Sequence, residues 1–325
     1  MRRHRWLMLL LLIVSALAFA ACGDDDDDDG GGGGAATQEG GGAAIQRDEA
    51  NAGTTITIGS KNFPEQIILG EIYVQGLEAA GFTVEKQLNL GDEKTALAAL
   101  EGGEIDAYPE YTGTALLSFF GVKSDELPDD PMEAYEQARQ GFAEKNLTAL
   151  EPTPFTNSNE VAVTQETAEE NDLQQISDLA RVDDQFTMYG SPECRQRLDC
   201  LLGLQEVYGL EFERFVPVDL ALRHDVLTRG QADVSIVFTT DPEIEREGFV
   251  LLEDDKGIFP PYNSTLVVRN EVAEKAGPAL EEVVRQVNQG LNDAAMSELN
   301  ARVTIDKETP AQVAGDYLSE EGLVQ

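Results

Sequence analysis

From Thr54 onward, short apolar runs of strand length alternate with longer amphipathic runs of helix length. Thr55–Gly59 reads as a strand, and Pro64–Ala80, with proline in its first turn, as a helix. Phe82–Leu90 is a second strand, Lys94–Glu101 a helix and Ile105–Tyr108 a third strand, with further helices near Thr114–Phe120 and Pro131–Lys145. The same order then starts again: strand Phe186–Tyr189, helix Cys200–Tyr208, strand Phe212–Pro217, helix Ala221–Arg229 and strand Val234–Phe238. A βαβαβ order predicts a parallel sheet with helices on both faces, here built twice.

The two halves also agree in detail. Leu100, Gly103, Asp106, Tyr111 and Thr112 stand opposite Leu227, Gly230, Asp233, Phe238 and Thr239 at one offset of 127 residues. Thr57–Ser60 and Met188–Ser191 fall close to that offset. The apolar, β-rich segments Glu160–Gln165 and Thr265–Arg269 flank the second half and read as two crossover strands. The expected architecture is α/β: two lobes with parallel-rich sheets, lobe 1 from about 54–157 and 262–325, lobe 2 from 158–261, and a cleft between them. From Glu271 the chain is helical in pattern and is expected to pack on lobe 1.

The first 53 residues follow a different pattern. Arg2, Arg3 and Arg5 precede the apolar run Leu7–Val14, and Ala18-Phe19-Ala20-Ala21 leads to Cys22. The run is too short to span a bilayer and reads as a secretory signal over 1–21. Six aspartates, Asp24–Asp29, five glycines and a Gly/Ala/Thr/Gln stretch can bury no core, so 22–53 reads as a disordered spacer. A leader holding three of the 23 basic residues and none of the 61 acidic ones takes the net charge from −38 to −41 on removal. Such a charge argues against nucleic acid and anionic lipid surfaces as partners. With Cys22 set aside, Cys194 and Cys200 remain, an even pair in an oxidising compartment, and a short-loop disulfide is expected. The two histidines, His4 and His224, are too few for a zinc site. No nucleophile elbow, P-loop or His-Glu-x-x-His motif is present, so neither enzyme chemistry nor a cofactor is expected.

Ligands of open α/β sheets sit beyond the C-terminal ends of the strands. Those ends carry Lys61, Tyr111, Thr114, Arg197 and Phe238. Aromatic faces suit a cation, and a lysine–arginine pair suits a carboxylate. Arg197 falls inside the Cys194–Cys200 loop, which a disulfide would hold in place.

Ile58-Gly59-Ser60-Lys61-Asn62-Phe63-Pro64-Glu65-Gln66 resembles the opening of the osmoprotectant-binding lipoproteins of ABC importers, which take glycine betaine, choline or carnitine. Gly103–Thr114 and Glu253–Tyr262 are similar to two more signatures of that family, and Leu17–Cys22 resembles a bacterial lipobox acylated at Cys22. The resemblance covers 54–325. It implies a type II periplasmic-binding-protein fold, a small-molecule osmolyte, a membrane permease as partner, a lipid anchor and a monomer outside the cytoplasm. The family's aromatic cage falls at Tyr111, Asn159, Phe238 and Tyr262, and its carboxylate grip at Lys61, Thr114 and Arg197. Asn159 and Phe238 stand where the family usually has tyrosine; the asparagine removes a wall that Phe155 is expected to replace in part. An amide at 159 also suits a primary ammonium, so an amino acid is a rival ligand. A sensor lipoprotein is a rival of another class.

Overall fold

The structure is a computed structural model and describes residues 43–123 and 126–324. The leader, Cys22 and the Asp/Gly stretch up to residue 42 lie outside the described residues. Among the described residues, ten strands form two five-stranded sheets. The first holds β1 (Thr55–Gly59), β2 (Thr83–Gln87), β3 (Ala107–Tyr111), β4 (Leu147–Ala149) and β10 (Ser264–Arg269), in the order β2-β1-β3-β10-β4. The second holds β5 (Asn159–Val163), β6 (Thr187–Gly190), β7 (Arg214–Pro217), β8 (Val234–Phe238) and β9 (Val250–Leu252), in the order β7-β6-β8-β5-β9. The two orders superimpose position for position, with β1–β3 and β6–β8 as equivalent parallel trios. The sheets are mixed rather than purely parallel. β10 runs antiparallel to β3 and β4, and β5 antiparallel to β8 and β9, because each follows a segment that crosses from the other lobe.

The repeat has a physical basis. Gly103 (φ 75°) and Gly230 (φ 62°) both occupy the left-handed region just after a helix, where a side chain is disfavoured. Three residues later Asp106 accepts from the Thr57 amide at 2.9 Å, and Asp233 from the Thr187 amide at 2.7 Å. Each aspartate therefore pins the start of the third strand of its lobe to the first.

The crossing segments meet at an isolated antiparallel bridge, Thr156 to Asn263. Four helices, Asn270–Ala276, Pro278–Gln289, Asp293–Thr304 and Pro310–Glu320, follow β10. The apolar faces of the last three join the core under the long helix Pro64–Ala79, through Val284, Val287, Met296 and Leu318 among others. A separate cluster including Val161, Met188, Leu204 and Leu252 fills the second lobe. Order begins ahead of Thr54: Ile45 donates its amide to the Leu323 carbonyl at 2.9 Å and packs into the first-lobe core. Residues 43–53, read from the sequence as the end of a spacer, are therefore tied to the first lobe. The helix expected at Thr114–Phe120 starts at Thr112 and widens to a π-helical turn over Ala115–Phe119.

Glu160 on β5 yields a prediction. Burial, aided by Asp254, pushes its carboxyl up to about 7 from an ordinary 4.5. The folded state therefore holds this proton more tightly than the unfolded chain. Its contribution is fully present below about pH 4.5 and is lost as pH rises towards 7. Glu160→Gln is expected to raise the melting temperature above pH 7 and to leave it unchanged below pH 4.5, read from melts across that range.

Candidate functional site

A cavity of about 430 Å³ opens at the C-terminal ends of the parallel strands of both sheets. Lys61, Tyr111, Thr114, Asn159, Arg197, Phe238 and Tyr262 all line it. Lys61 follows β1, Tyr111 ends β3, Phe238 ends β8, Asn159 opens β5, and Tyr262 sits on the segment entering β10. Their partners in the sheets repeat the internal symmetry: Tyr111 lies across from Ser264, and Phe238 across from Asn159.

The aromatic wall is continuous. Phe63, at the entry of the helix Pro64–Ala79, stacks on Tyr111 with centroids 6.2 Å apart and meets Phe238 at 5.7 Å. Its neighbour Pro64 fixes the helix start and so fixes where the ring points. Phe63 closes the stretch Ser60–Phe63 that follows β1, at a strand end where a ligand is expected, and adds its ring to the wall. On the far side, Gly113 lets Tyr262 approach: a Cβ there would stand 2.8 Å from the Tyr262 ring.

The cations of the site are already matched. Lys61 forms a buried ion pair with Glu110, whose oxygens also accept from the Tyr108 hydroxyl (2.9 Å) and the Tyr111 amide (2.7 Å). The Lys61 ammonium also stands 4.5 Å from the Tyr111 ring centre, within cation–π range. Arg197 grips Asp199 with two N–H groups. The Tyr262 hydroxyl donates to the same Asp199 carboxylate. Burial alone would raise the Asp199 pKa, but the Arg197 guanidinium and the Tyr262 hydroxyl outweigh it and hold the carboxyl below its usual value. Arg223 lies over Phe238, 4.5 Å from its centroid, and pairs with the buried Asp241. Burial works against that charge too, yet Arg223 and His224 bring Asp241 down to about 2.

The structure gives Asn159 a further role and corrects the expectation for Phe155. Asn159, where the family usually has an aromatic wall, donates its amide nitrogen to the Asp199 carbonyl at 2.8 Å and supports the loop that carries Arg197. Phe155 is fully buried in the first-lobe core and does not replace the missing wall. His224 is likewise buried, with Nε2 2.8 Å from Asp241.

The Cys194–Cys200 disulfide is present and closes a loop over Arg197 and Asp199. A loop of this length stabilises by about 2 kcal/mol through the unfolded state. Replacing both cysteines by serine is expected to lower stability by about that amount and to weaken ligand binding, since Arg197 and Asp199 lose their anchor. Calorimetric melts and a ligand titration check the two effects separately.

Behind the wall lies a carboxylate that sequence reasoning missed. Glu65 accepts from the Tyr111 hydroxyl (2.6 Å), the Asn157 amide (2.5 Å), the Thr240 hydroxyl (2.5 Å) and the Asn300 amide (2.7 Å). These four donors come from the first sheet, a crossing segment, the second lobe and a C-terminal helix. Burial pushes the Glu65 carboxyl up, against the pull of all four hydrogen bonds. Only the glutamate's place two residues after Phe63, in the first turn of a helix, hinted at it.

Residues 54–320 match the family described as the substrate binding domain of ABC-type glycine betaine transport systems. The chain belongs to this family. It is 36% identical to the glycine-betaine-binding protein of Pseudomonas aeruginosa, over 83% of this chain and 89% of that one. It is 29% identical to the ergothioneine transport permease/ergothioneine binding protein EgtU of Helicobacter pylori, over 82% of this chain and 48% of the relative. A crystal structure of a glycine betaine/carnitine/choline ABC transporter shares 26% identity and a TM-score of 0.65, covering 82% of this chain and 99% of that one. The family consists of solute-binding domains, so the two sheets and the cavity between them are those of a bilobed binding protein and not of an enzyme.

Proposed function

We propose that this protein captures a quaternary-ammonium osmolyte outside the cytoplasm and delivers it to an ABC permease. Family membership carries the reading. The cavity supports it chemically, because a trimethylated nitrogen cannot donate hydrogen bonds and is best held by π faces, each contributing about 0.5–2 kcal/mol. Tyr111, Phe238 and Tyr262 supply those faces, and Lys61, Thr114 and Arg197 with Asn159 form the polar side of the same site. Closure of the two lobes about the Thr156–Asn263 crossing would trap the ligand. The monomer is the working unit, and diacylated Cys22 tethers it to the outer face of the membrane. One acylated cysteine with two chains suffices for stable anchoring.

The test is thermal. A micromolar ligand at millimolar dose adds roughly 4 kcal/mol to a folded state that alone binds it. Glycine betaine, choline, carnitine and ergothioneine, set beside a panel of amino acids, should give a large melting shift for at least one quaternary amine. A shift among amino acids alone would overturn the reading. For the anchor, mass spectrometry of the native protein should find a diacylglyceryl group on Cys22; an unmodified N-terminus would refute it.

A further inference from the structure

A second cavity, of about 470 Å³, shares Phe63 and Phe238 with the first and is bordered by second-lobe residues and by the end of the first-lobe helix Asp293–Thr304. His224, Asp241 and Glu243 line this cavity and not the other. All three are buried, and each offers a ligand atom within 4.8 Å of those of the other two. The bonds around them place the hydrogen on the ring. Asp241 accepts from the Phe238 amide at 2.8 Å and from the Arg223 guanidinium, neither of which can accept, so it is the acceptor towards His224 as well. The imidazole Nε2, 2.8 Å from Asp241, therefore carries the hydrogen, and in the neutral ring Nδ1 is a lone pair. That nitrogen stands 3.8 Å from Oε2 of Glu243. The glutamate is 7% exposed, and its Oε2 is buried with no hydrogen-bond partner among the described residues.

A proton on Nδ1 would not join the two atoms, since 3.8 Å is beyond hydrogen-bond reach. Two metal–ligand bonds of about 2.0–2.2 Å each do span that gap. The ring is also set in advance. Asp241 holds one edge, and Phe249 stacks on its face at 6.4 Å between centroids. A carboxylate on the far nitrogen is what orients a metal-binding imidazole and fixes its tautomer. Among the described residues, the unpartnered buried atoms bordering this cavity belong to Asn157, Glu243, Asn300 and Thr304, and all four are oxygens. Buried oxygens without donors are costly until something of positive charge completes them.

We propose that His224 Nδ1 and Glu243 Oε2 bind a divalent transition-metal ion of the zinc class in this second cavity, with Asp241 orienting the imidazole and water filling the remaining positions. One histidine is too few for a closed four-ligand structural site, and the site is accordingly an open one. A nitrogen beside a carboxylate oxygen suits Zn²⁺ or Co²⁺, whereas Ca²⁺ and Mg²⁺ take oxygen ligands.

Calorimetric titration of the purified chain with Zn²⁺ tests this, in buffer holding millimolar Ca²⁺ so that the run Asp24–Asp29 and other carboxylate-only sites are already occupied. One equivalent of Zn²⁺ is expected to bind. Glu243→Gln should weaken it at least tenfold and His224→Gln at least a hundredfold. Co²⁺ in its place should give the visible bands of a nitrogen-ligated ion, lost in His224→Gln. Where a variant fails to fold, as its melt would show, the unaltered protein decides: with two histidines in the chain, Zn²⁺ should shift the imidazole resonances of the buried ring. Zinc that Ca²⁺ displaces, binding that neither variant changes, or buried-ring resonances that Zn²⁺ leaves in place would overturn the proposal.

Discussion

Glu65→Ala is expected to lower stability by about 3–5 kcal/mol, the range for breaking a buried, hydrogen-bonded charged network. In a protein of this size that corresponds to a fall in melting temperature of about 10 °C. The carboxylate is 3% exposed and receives four hydrogen bonds from four separate parts of the chain. Alanine would leave the Tyr111 and Thr240 hydroxyls and the Asn157 amide facing a hole without acceptors, and the Asn300 amide with only the Thr240 carbonyl. Buried donors without partners cost about 1–3 kcal/mol each before the structure relaxes around them. Glu65→Gln keeps the volume but turns one acceptor into a donor aimed at other donors, so it should recover only part of the loss. The consequence for function is conformational. Glu65 belongs to the first lobe and Thr240 to the second, so their bond is a latch across the hinge, as is the bond from Asn300 to the Thr240 carbonyl at 3.2 Å. Without it the lobes should part more readily, and solution scattering of ligand-free Glu65→Gln should show a larger radius of gyration. A variant that melts within about 1 °C of the parent, with unchanged scattering, would show that the four bonds are replaceable by water.

The duplicated lobe was readable because the repeated residues perform the same physical task twice. A left-handed glycine ends each helix and an aspartate ties the third strand to the first, so Gly103 with Asp106 and Gly230 with Asp233 survive at a constant offset while the residues around them drift. The edge strands Leu147–Ala149 and Val250–Leu252 were not readable, because three residues carry too little periodicity to stand out from a loop. For the site, position was legible and pairing was not. Residues at strand ends converge on one cavity as the topology requires. Which of 61 acidic side chains would face Lys61 or Arg197 is a tertiary property with no local signal. Even Asp199, two residues beyond Arg197, could have pointed to solvent; it turns inward because the disulfide folds its loop back and Tyr262 and Asn159 hold it there. The same missing information hid the hydrogen bond by which Asn159 holds that loop.

Tyr111→Ala is expected to weaken binding of the preferred quaternary amine at least a hundredfold. The residue supplies a π face to the cavity, stacks on Phe63, lies beside the Lys61 ammonium and anchors its hydroxyl on Glu65. Loss of one cation–π contact in a desolvated site accounts for about 2 kcal/mol, roughly thirtyfold. The remainder comes from neighbours that Tyr111 holds in place, since Phe63 loses its stacking partner and Lys61 the ring beside it. Tyr111→Phe separates these contributions. It keeps the face and the stacking and removes only the hydroxyl bond to Glu65, so it should leave affinity within about tenfold of the parent while lowering stability by about 1–2 kcal/mol. Titration of the three proteins with one ligand, alongside melts of each without ligand, places every effect on either affinity or stability. If phenylalanine were as damaging to binding as alanine, the hydroxyl rather than the ring would carry recognition, and the aromatic wall would be packing alone.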